Sequence, residues 1–154
     1  TEKIANTFNN GMEYFNSFGG NPVSCSVGNA VLDVIEKDNL QRNAKIVGDY
    51  FLKKLKQIKQ KFPYYISNIS GRGLFIGVDL IQKGNFFHPN SKLADELINN
   101  LRHKGILLST DGPYNNVIKI KPPMIFNKEN VDFVCNEIND FLINKDKKQT
   151  IKKH

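Results

Sequence analysis

The sequence lacks tryptophan, long apolar runs and a cysteine framework, and each absence excludes a class of protein. No run approaches the roughly eighteen apolar residues that a membrane-spanning helix needs, so we expect no membrane partner. Cys25 and Cys135 stand apart, without a CxxC pair or histidines at ligand spacing, so neither a disulfide scaffold nor a metal site is predicted. With 40% apolar residues over 154 positions, one globular domain with its own core remains.

Arginine is also scarce, and this bears on the net charge of +7. Residues 145–154 contain five lysines and one aspartate, a net +4, which predicts a disordered basic tail. Only three of the 22 basic residues are arginine, the side chain best suited to phosphate and base recognition. We therefore expect no nucleic acid partner.

The spacing of apolar residues predicts the helices. The predicted ranges are 2–10, 22–37, 40–62, 91–104 and about 128–142. The second range follows two glycines and begins at Asn21, a good N-cap, and Pro22, which suits the first helical turn. Residues 19–22 therefore mark a helix start.

Runs of β-branched residues predict the strands. One or two strands are expected over 66–81, and two short ones over 106–108 and 117–120. Because the connections are too short for parallel crossovers, the predicted class is α/β in the form of an α+β small lobe with a small mixed or antiparallel sheet.

Three local features could bear chemistry. Ser17 and two glycines precede a helix N-terminus, where free amides favour a phosphate, although an ordinary capped helix is the alternative. Arg72 lies in a glycine-rich turn that could face a ligand, although its third glycine, Gly77, falls one position late for a dinucleotide loop. Lys119 and Lys121 share one side of a strand and could hold an anion, or be ordinary surface lysines. These residues alone identify no reaction.

Three ordered segments together resemble a known family. They are residues 13–25 (EYFNSFGGNPVSC), residues 71–77 (GRGLFIG), and residues 111–113 (DGP) with 119–124 (KIKPPM). They are similar to the C-terminal part of class III aminotransferases, which depend on pyridoxal phosphate (PLP), and the resemblance extends from Thr1 to about Leu142. Within that family the pattern looks most like the alanine–glyoxylate aminotransferase-like phospho-lyases, which act on phosphoethanolamine or phosphohydroxylysine.

The resemblance implies the C-terminal segment of the fold type I PLP-transferase fold. Residues 1–36 would end the large PLP-binding domain, 37–62 would be a connecting helix, 63–144 the C-terminal small domain and 145–154 a tail. The lysine that binds PLP as a Schiff base would lie upstream of Thr1, so none of the nineteen lysines is expected to be catalytic and the chain alone is expected to be inactive.

The resemblance also implies roles for particular residues. Ser17 stands where the family has a threonine that reaches the cofactor phosphate of the partner subunit in a homodimer or dimer of dimers, with Phe18 and Gly19 shaping that loop. Lys119 stands where many aminotransferases have an arginine that binds the substrate carboxylate. Because lysine cannot reproduce that two-pronged contact, a substrate without a carboxylate is favoured, with Arg72 as a second substrate-binding residue.

The function implied is a PLP-dependent phospho-lyase that eliminates phosphate and ammonia from phosphoethanolamine or 5-phosphohydroxylysine. An omega- or alanine–glyoxylate-type transaminase is the alternative. From another class, a non-catalytic dimerisation or interaction fragment remains open, as does a basic nucleic acid binder. The family suggests a mitochondrial protein, with the cytoplasm as the alternative.

Overall fold

A computed structural model describes residues 1–151, with side chains to residue 147. Five helices and five strands are found in these residues. The helices are α1 Glu2–Phe8, α2 Pro22–Lys37, α3 Leu40–Lys61, α4 Ser91–Arg102 and α5 Lys128–Ile151, and the strands are β1 Ile66–Arg72, β2 Phe75–Gln82, β3 Asn85–Pro89, β4 Ser109–Asp111 and β5 Val117–Ile120.

The strands form an antiparallel sheet in the order β1-β2-β5-β4, and β3 pairs separately with β2. This confirms the predicted class. In the register of the sheet Gly77 lies opposite Lys119, and Asp111 lies opposite Val117. Each face of the sheet therefore combines side chains from β1, β2, β5 and β4.

One face of the sheet is covered by α3, α4 and α5 and forms the core. Side chains alternate along β2 and β5, so that Ile76, Val78 and Ile118 are buried beneath the helices. From α3, Phe51 and Leu55 pack into the same core. The opposite face, here called the open face, carries more exposed residues.

The N-terminal region over residues 1–39 has a different character. Helix α2 begins where the glycine, asparagine and proline pattern predicts, and the Asn21 side-chain oxygen accepts a hydrogen bond of 2.8 Å from the Ser24 amide. Neither α1 nor α2 contains a buried residue. Within residues 1–151, no helix combines the length and apolarity needed to cross a membrane.

The structure corrects the sequence analysis in three places. The strand predicted over 106–108 is wrong, because these residues pair with no strand in the described part of the chain, and the pairing with β5 begins only at Ser109. Strand β3 was not predicted. The last helix continues to Ile151, so the disordered tail is wrong for residues 145–151, and residues 152–154 lie outside the described part.

Contacts to two other elements explain why the helix continues. Lys145 pairs with Glu96 of α4, and Asp146 pairs with Lys83 of the β2–β3 turn. The lysine-rich composition suggested a solvated end, but Lys145 and Asp146 have partners that are distant in sequence.

Candidate functional site

The open face contains a groove of about 580 Å³ that is formed by β1, β2, β4 and β5. Its lining includes both of the substrate-binding residues that the resemblance implies, Arg72 and Lys119, together with Asp111, Phe75 and Gly77. The fold thus brings Arg72 and Lys119, which are 47 positions apart in sequence, to one groove.

Arg72 is placed by a tight turn that is pressed against helix α3. Gly71 and Gly73 have positive φ angles of 149° and 55°, which side chains disfavour. A Cβ on Gly48 of α3 would overlap the backbone carbonyl of Gly73, so the turn approaches the helix as closely as two glycines allow. Arg72 therefore extends from a fixed backbone.

Lys119 is held by an ion pair at the other side of the groove. Its Nζ lies 2.9 Å from Oδ2 of Asp111, and the Gly112 amide donates a hydrogen bond of 2.8 Å to Oδ1 of the same carboxylate. The hydrogen bond from Lys119, and secondarily that from Gly112, lower the pKa of the Asp111 carboxyl. Asp111 is thus ionised at neutral pH, and the pair is stable there.

The floor of the groove is kept open by Gly77. A Cβ at this position would lie 3.2 Å from Cγ1 of Val117 and 3.5 Å from Oγ of Ser70, so a side chain would occupy the space in front of Lys119. Beside it, the exposed ring of Phe75 has the Lys121 Nζ 5.2 Å from its centroid. The cations Arg72 and Lys119 line the groove and Lys121 lies at its border, whereas the lining includes one carboxylate, that of Asp111. This excess of positive charge favours an anionic ligand.

Ser17 lies apart from the groove, on an exposed loop ahead of α2. The Oδ1 of Asn16 accepts hydrogen bonds of 3.1 Å from the amides of Phe18 and Gly19, and the Asn21 side chain donates to the Phe18 carbonyl at 2.8 Å. Within the described residues the Ser17 hydroxyl has no hydrogen-bond partner and faces solvent. The loop is thus ordered while its hydroxyl remains available.

Comparison with known proteins adds the family to this geometry. The family model named Aminotransferase class-III matches residues 1–142. The chain belongs to the class-III aminotransferase family. Enzymes of this family depend on PLP, so the predictions of family, fold and enzyme class are confirmed.

Several class-III relatives are highly similar. Alanine–glyoxylate aminotransferase 2-like from Drosophila melanogaster is 46% identical over 135 residues, which cover 86% of this chain and 27% of that protein. Ethanolamine-phosphate phospho-lyase homolog 1 from Caenorhabditis elegans is 39% identical over 131 residues, which cover 84% of this chain and 28% of that protein. The chain thus spans just over a quarter of the length of these relatives.

A solved structure shows the same class-III fold. A phospholyase from Arthrobacter in complex with phosphoethanolamine aligns with a TM-score of 0.84 at 34% identity, over 93% of this chain and 34% of that protein. The agreement extends over nearly all of the chain.

The Ser17 hydroxyl is the donor of this loop that fits the phosphate of PLP, because a serine hydroxyl can donate one hydrogen bond to a phosphate oxygen. The Phe18 and Gly19 amides are already engaged by Asn16, and the Ser24 amide by Asn21. Two residues that the sequence did not single out organise the Ser17 loop and the groove. Asn16 and Asp111 each lie within or beside a quoted motif, but their partners are revealed only by loop geometry and strand register.

Proposed function

We propose that this chain forms the C-terminal part of a PLP-dependent phospho-lyase that eliminates phosphate and ammonia from phosphoethanolamine or 5-phosphohydroxylysine. The observation that carries the proposal is the open-face groove, in which Arg72 and Lys119 line one cavity. The same groove contains no large side chain at Gly77, so there is room for a tetrahedral anion in front of Lys119.

The cation at position 119 favours phosphate over carboxylate at that point of the groove. A planar carboxylate is bound best by the parallel donors of an arginine, whereas Lys119 offers a single ammonium group that Asp111 already engages. A phosphate monoester carries up to about two negative charges and three exposed oxygens, so it can bind Arg72 and Lys119 at once. The names of the phospho-lyase homologue and of the phosphoethanolamine complex support this assignment.

The roles of this chain's residues follow from that arrangement. When bound, PLP supplies an electron sink for the substrate carbon next to the amine. Loss of a proton from that carbon supplies the electron pair that expels phosphate. Arg72 and Lys119 hold the substrate phosphate and stabilise its increasing charge as the carbon–oxygen bond breaks. Water then converts the dephosphorylated product to an aldehyde and ammonia. The Schiff-base lysine would come from a part of the full-length protein outside these 154 residues.

The assay uses the full-length protein and follows phosphate and ammonia release from phosphoethanolamine and 5-phosphohydroxylysine. We expect release from at least one of them, and a loss of about tenfold or more in kcat/KM for Lys119→Ala, because a charge-assisted hydrogen bond contributes about 1.5–3 kcal/mol. Lys53→Ala, on the solvent side of α3, is the matched control and should retain activity. Efficient alanine–glyoxylate transamination without phosphate release would refute the proposal.

A transaminase is the second candidate, because the Drosophila relative is named as an alanine–glyoxylate aminotransferase 2-like protein. Lys119→Arg separates the two reactions. In a phospho-lyase this variant gains affinity for amino acids with a carboxylate without becoming a better lyase. In a transaminase, it raises kcat/KM for alanine directly.

We further propose that Ser17 donates a hydrogen bond to the PLP phosphate across a homodimer interface. Ser17→Ala should weaken PLP binding about tenfold, whereas Ser17→Thr, which keeps the hydroxyl, should bind normally. PLP affinity is measured by absorbance titration of the apoprotein, and the mass of the full-length protein by light scattering. A monomer that binds PLP with wild-type affinity would contradict both parts.

We propose a mitochondrial location for the full-length protein. Similar proteins from Arabidopsis thaliana and Homo sapiens carry the word mitochondrial in their names, at 40% and 34% identity. Fractionation of cells that express the full-length protein tests this, and recovery in the cytosolic fraction would overturn it.

A further inference from the structure

Asp111 lies in the lining of the groove beside Lys119. It is the last residue of β4, and both of its carboxylate oxygens are engaged, one by the Gly112 amide and one by the Lys119 ammonium. Gly112 has a φ of 82°, and a Cβ there would lie 3.1 Å from Cγ2 of Val117, so a larger residue would disturb this turn. The carboxylate is therefore fixed by the backbone before it meets Lys119.

The register of the sheet makes Asp111 the side chain that can orient Lys119. Lys119 lies directly opposite Ser109 on one side and Gly77 on the other, and neither can offer it a carboxylate. Asp111 is its diagonal neighbour on the same face, at a separation that a long side chain can bridge. Without Asp111, the four-carbon chain of Lys119 would sample several rotamers above the open floor at Gly77.

We propose that Asp111 is a positioning residue, which holds the Lys119 ammonium in the groove for the substrate phosphate without touching the substrate itself. This rests on the proposed phospho-lyase function. An ordered lysine loses less rotamer freedom when the anion binds than a free one, and an immobilised side chain of this kind changes affinity by about two- to tenfold.

Two effects of Asp111 must be separated by the choice of variants. Removing its charge raises the positive potential of the groove and favours anions, whereas removing its acceptor releases Lys119 and disfavours them. Asp111→Asn and Asp111→Ala are both neutral, but only the asparagine retains an oxygen, which can accept from Lys119 or from the Gly112 amide. The part of the ratio between these variants that depends on Lys119 therefore reports positioning.

The experiment measures KM and kcat for phosphoethanolamine, and the Kd of inorganic phosphate by calorimetry, in the full-length protein. We expect KM and Kd to be about two- to tenfold higher in Asp111→Ala than in Asp111→Asn, with equal kcat. In a Lys119→Ala background the ratio should fall to one. The positioning role would be overturned if the two variants had equal KM and Kd with Lys119 present. It would also be overturned if their ratio were unchanged in the Lys119→Ala background.

The two readouts distinguish this inference from the function on which it rests. If phosphoethanolamine is not consumed but the Kd of inorganic phosphate shows the Lys119-dependent ratio, the lyase assignment fails and the positioning role holds. If phosphoethanolamine is consumed and both ratios are one, the lyase assignment holds and the positioning role fails.

Discussion

Apolar side chains are exposed in residues 1–39, whereas many are buried in the lobe, which is formed by residues 40–147. Phe15 and Phe18 are both 83% exposed in the first region, whereas Phe51 and Leu142 are 0% exposed in the second. The sequence patterns of the two regions look alike, since α2 and α3 both carry apolar residues at helical spacing. Periodicity therefore identifies a helix but does not show whether its apolar face is covered within the same chain.

This contrast separates the two candidate sites as well. The groove with Arg72 and Lys119 is built on a sheet whose other face is packed by three helices, so this chain alone maintains it. The Ser17 loop belongs to the region whose apolar residues are exposed. Contiguous exposed apolar surface is typical of an interface. This agrees with our proposal that Ser17 acts at a subunit boundary.

The largest expected difference between the regions is in core stability. Phe51→Ala in α3 should lower the free energy of unfolding by about 3–5 kcal/mol, because it opens a cavity beneath the sheet. Val31→Ala in α2 should change it by no more than about 0.5 kcal/mol, because the side chain is already half exposed. Urea denaturation of the 154-residue chain, followed by circular dichroism, measures both. Equal losses would show that α2 is packed in solution.

Much of the fold could be predicted because local signals were strong. The N-cap at Asn21 and the spacing from Leu40 onward placed α2 and α3 nearly to the residue. The strand at 106–108 was misplaced because an apolar run resembles a strand wherever it lies. Strand β3 went unrecognised because its sequence does not alternate, and its pairing with β2 is limited to Asn85 and Pro89 at its two ends, with an irregular register between them.

The site was predictable only in part, and for a related reason. Arg72 and Lys119 could be chosen from motif positions, but their common groove depends on the pairing of β2 with both β1 and β5. The Lys119–Asp111 pair depends on the register between β4 and β5, which no local pattern specifies. The register between strands that are distant in sequence is therefore what a single sequence could not predict.

Two glycines on the two helices give the next test. Gly48→Ala should destabilise the chain by about 1–3 kcal/mol, because the new methyl group meets the backbone of Gly73, which cannot move without displacing the turn. Gly28→Ala in α2 meets no atom within 4 Å and should stabilise the helix by up to about 1 kcal/mol. Denaturation midpoints compare them. A Gly48→Ala protein as stable as the wild type would mean that the turn is mobile.

The two cysteines allow the burial of a side chain to be tested through the pH dependence of the free energy of unfolding. Burial raises the pKa of the Cys135 thiol from 9.0 to about 12, while Cys25 is exposed. The unfolded chain therefore loses this proton first, so stability falls as the pH rises above 9 and continues to fall towards 12. By pH 10 the loss due to the thiol should be about 1 kcal/mol.

Unfolding free energies at pH 8 and pH 10 measure this effect. Cys135→Ala should remove that part of the pH dependence, and Cys25→Ala should leave it unchanged. If the wild type and Cys135→Ala lose stability equally between these pH values, the thiol is not buried in solution.

The smallest expected effect concerns the end of α5, which includes residues that the sequence predicted to be a disordered tail. Asp146 accepts from the Lys83 ammonium and from the Tyr64 hydroxyl, and the hydrogen bond from Lys83 lowers the pKa of this carboxyl. Asp146→Asn should reduce local stability by about 0.5 kcal/mol, as expected for a partly exposed pair. Amide hydrogen exchange over residues 144–151 should accelerate about twofold, and the same acceleration should appear in the wild type below the normal aspartate pKa of 3.8.

Asp140→Asn, on the same helix, is the control and should leave exchange at the helix end unchanged. Removing a negative charge near a helix C-terminus would by itself stabilise the helix. Faster exchange in Asp146→Asn must therefore come from weaker contacts of this side chain, including the lost charge pairing with Lys83. Slower exchange would show instead that the helix dipole outweighs those contacts.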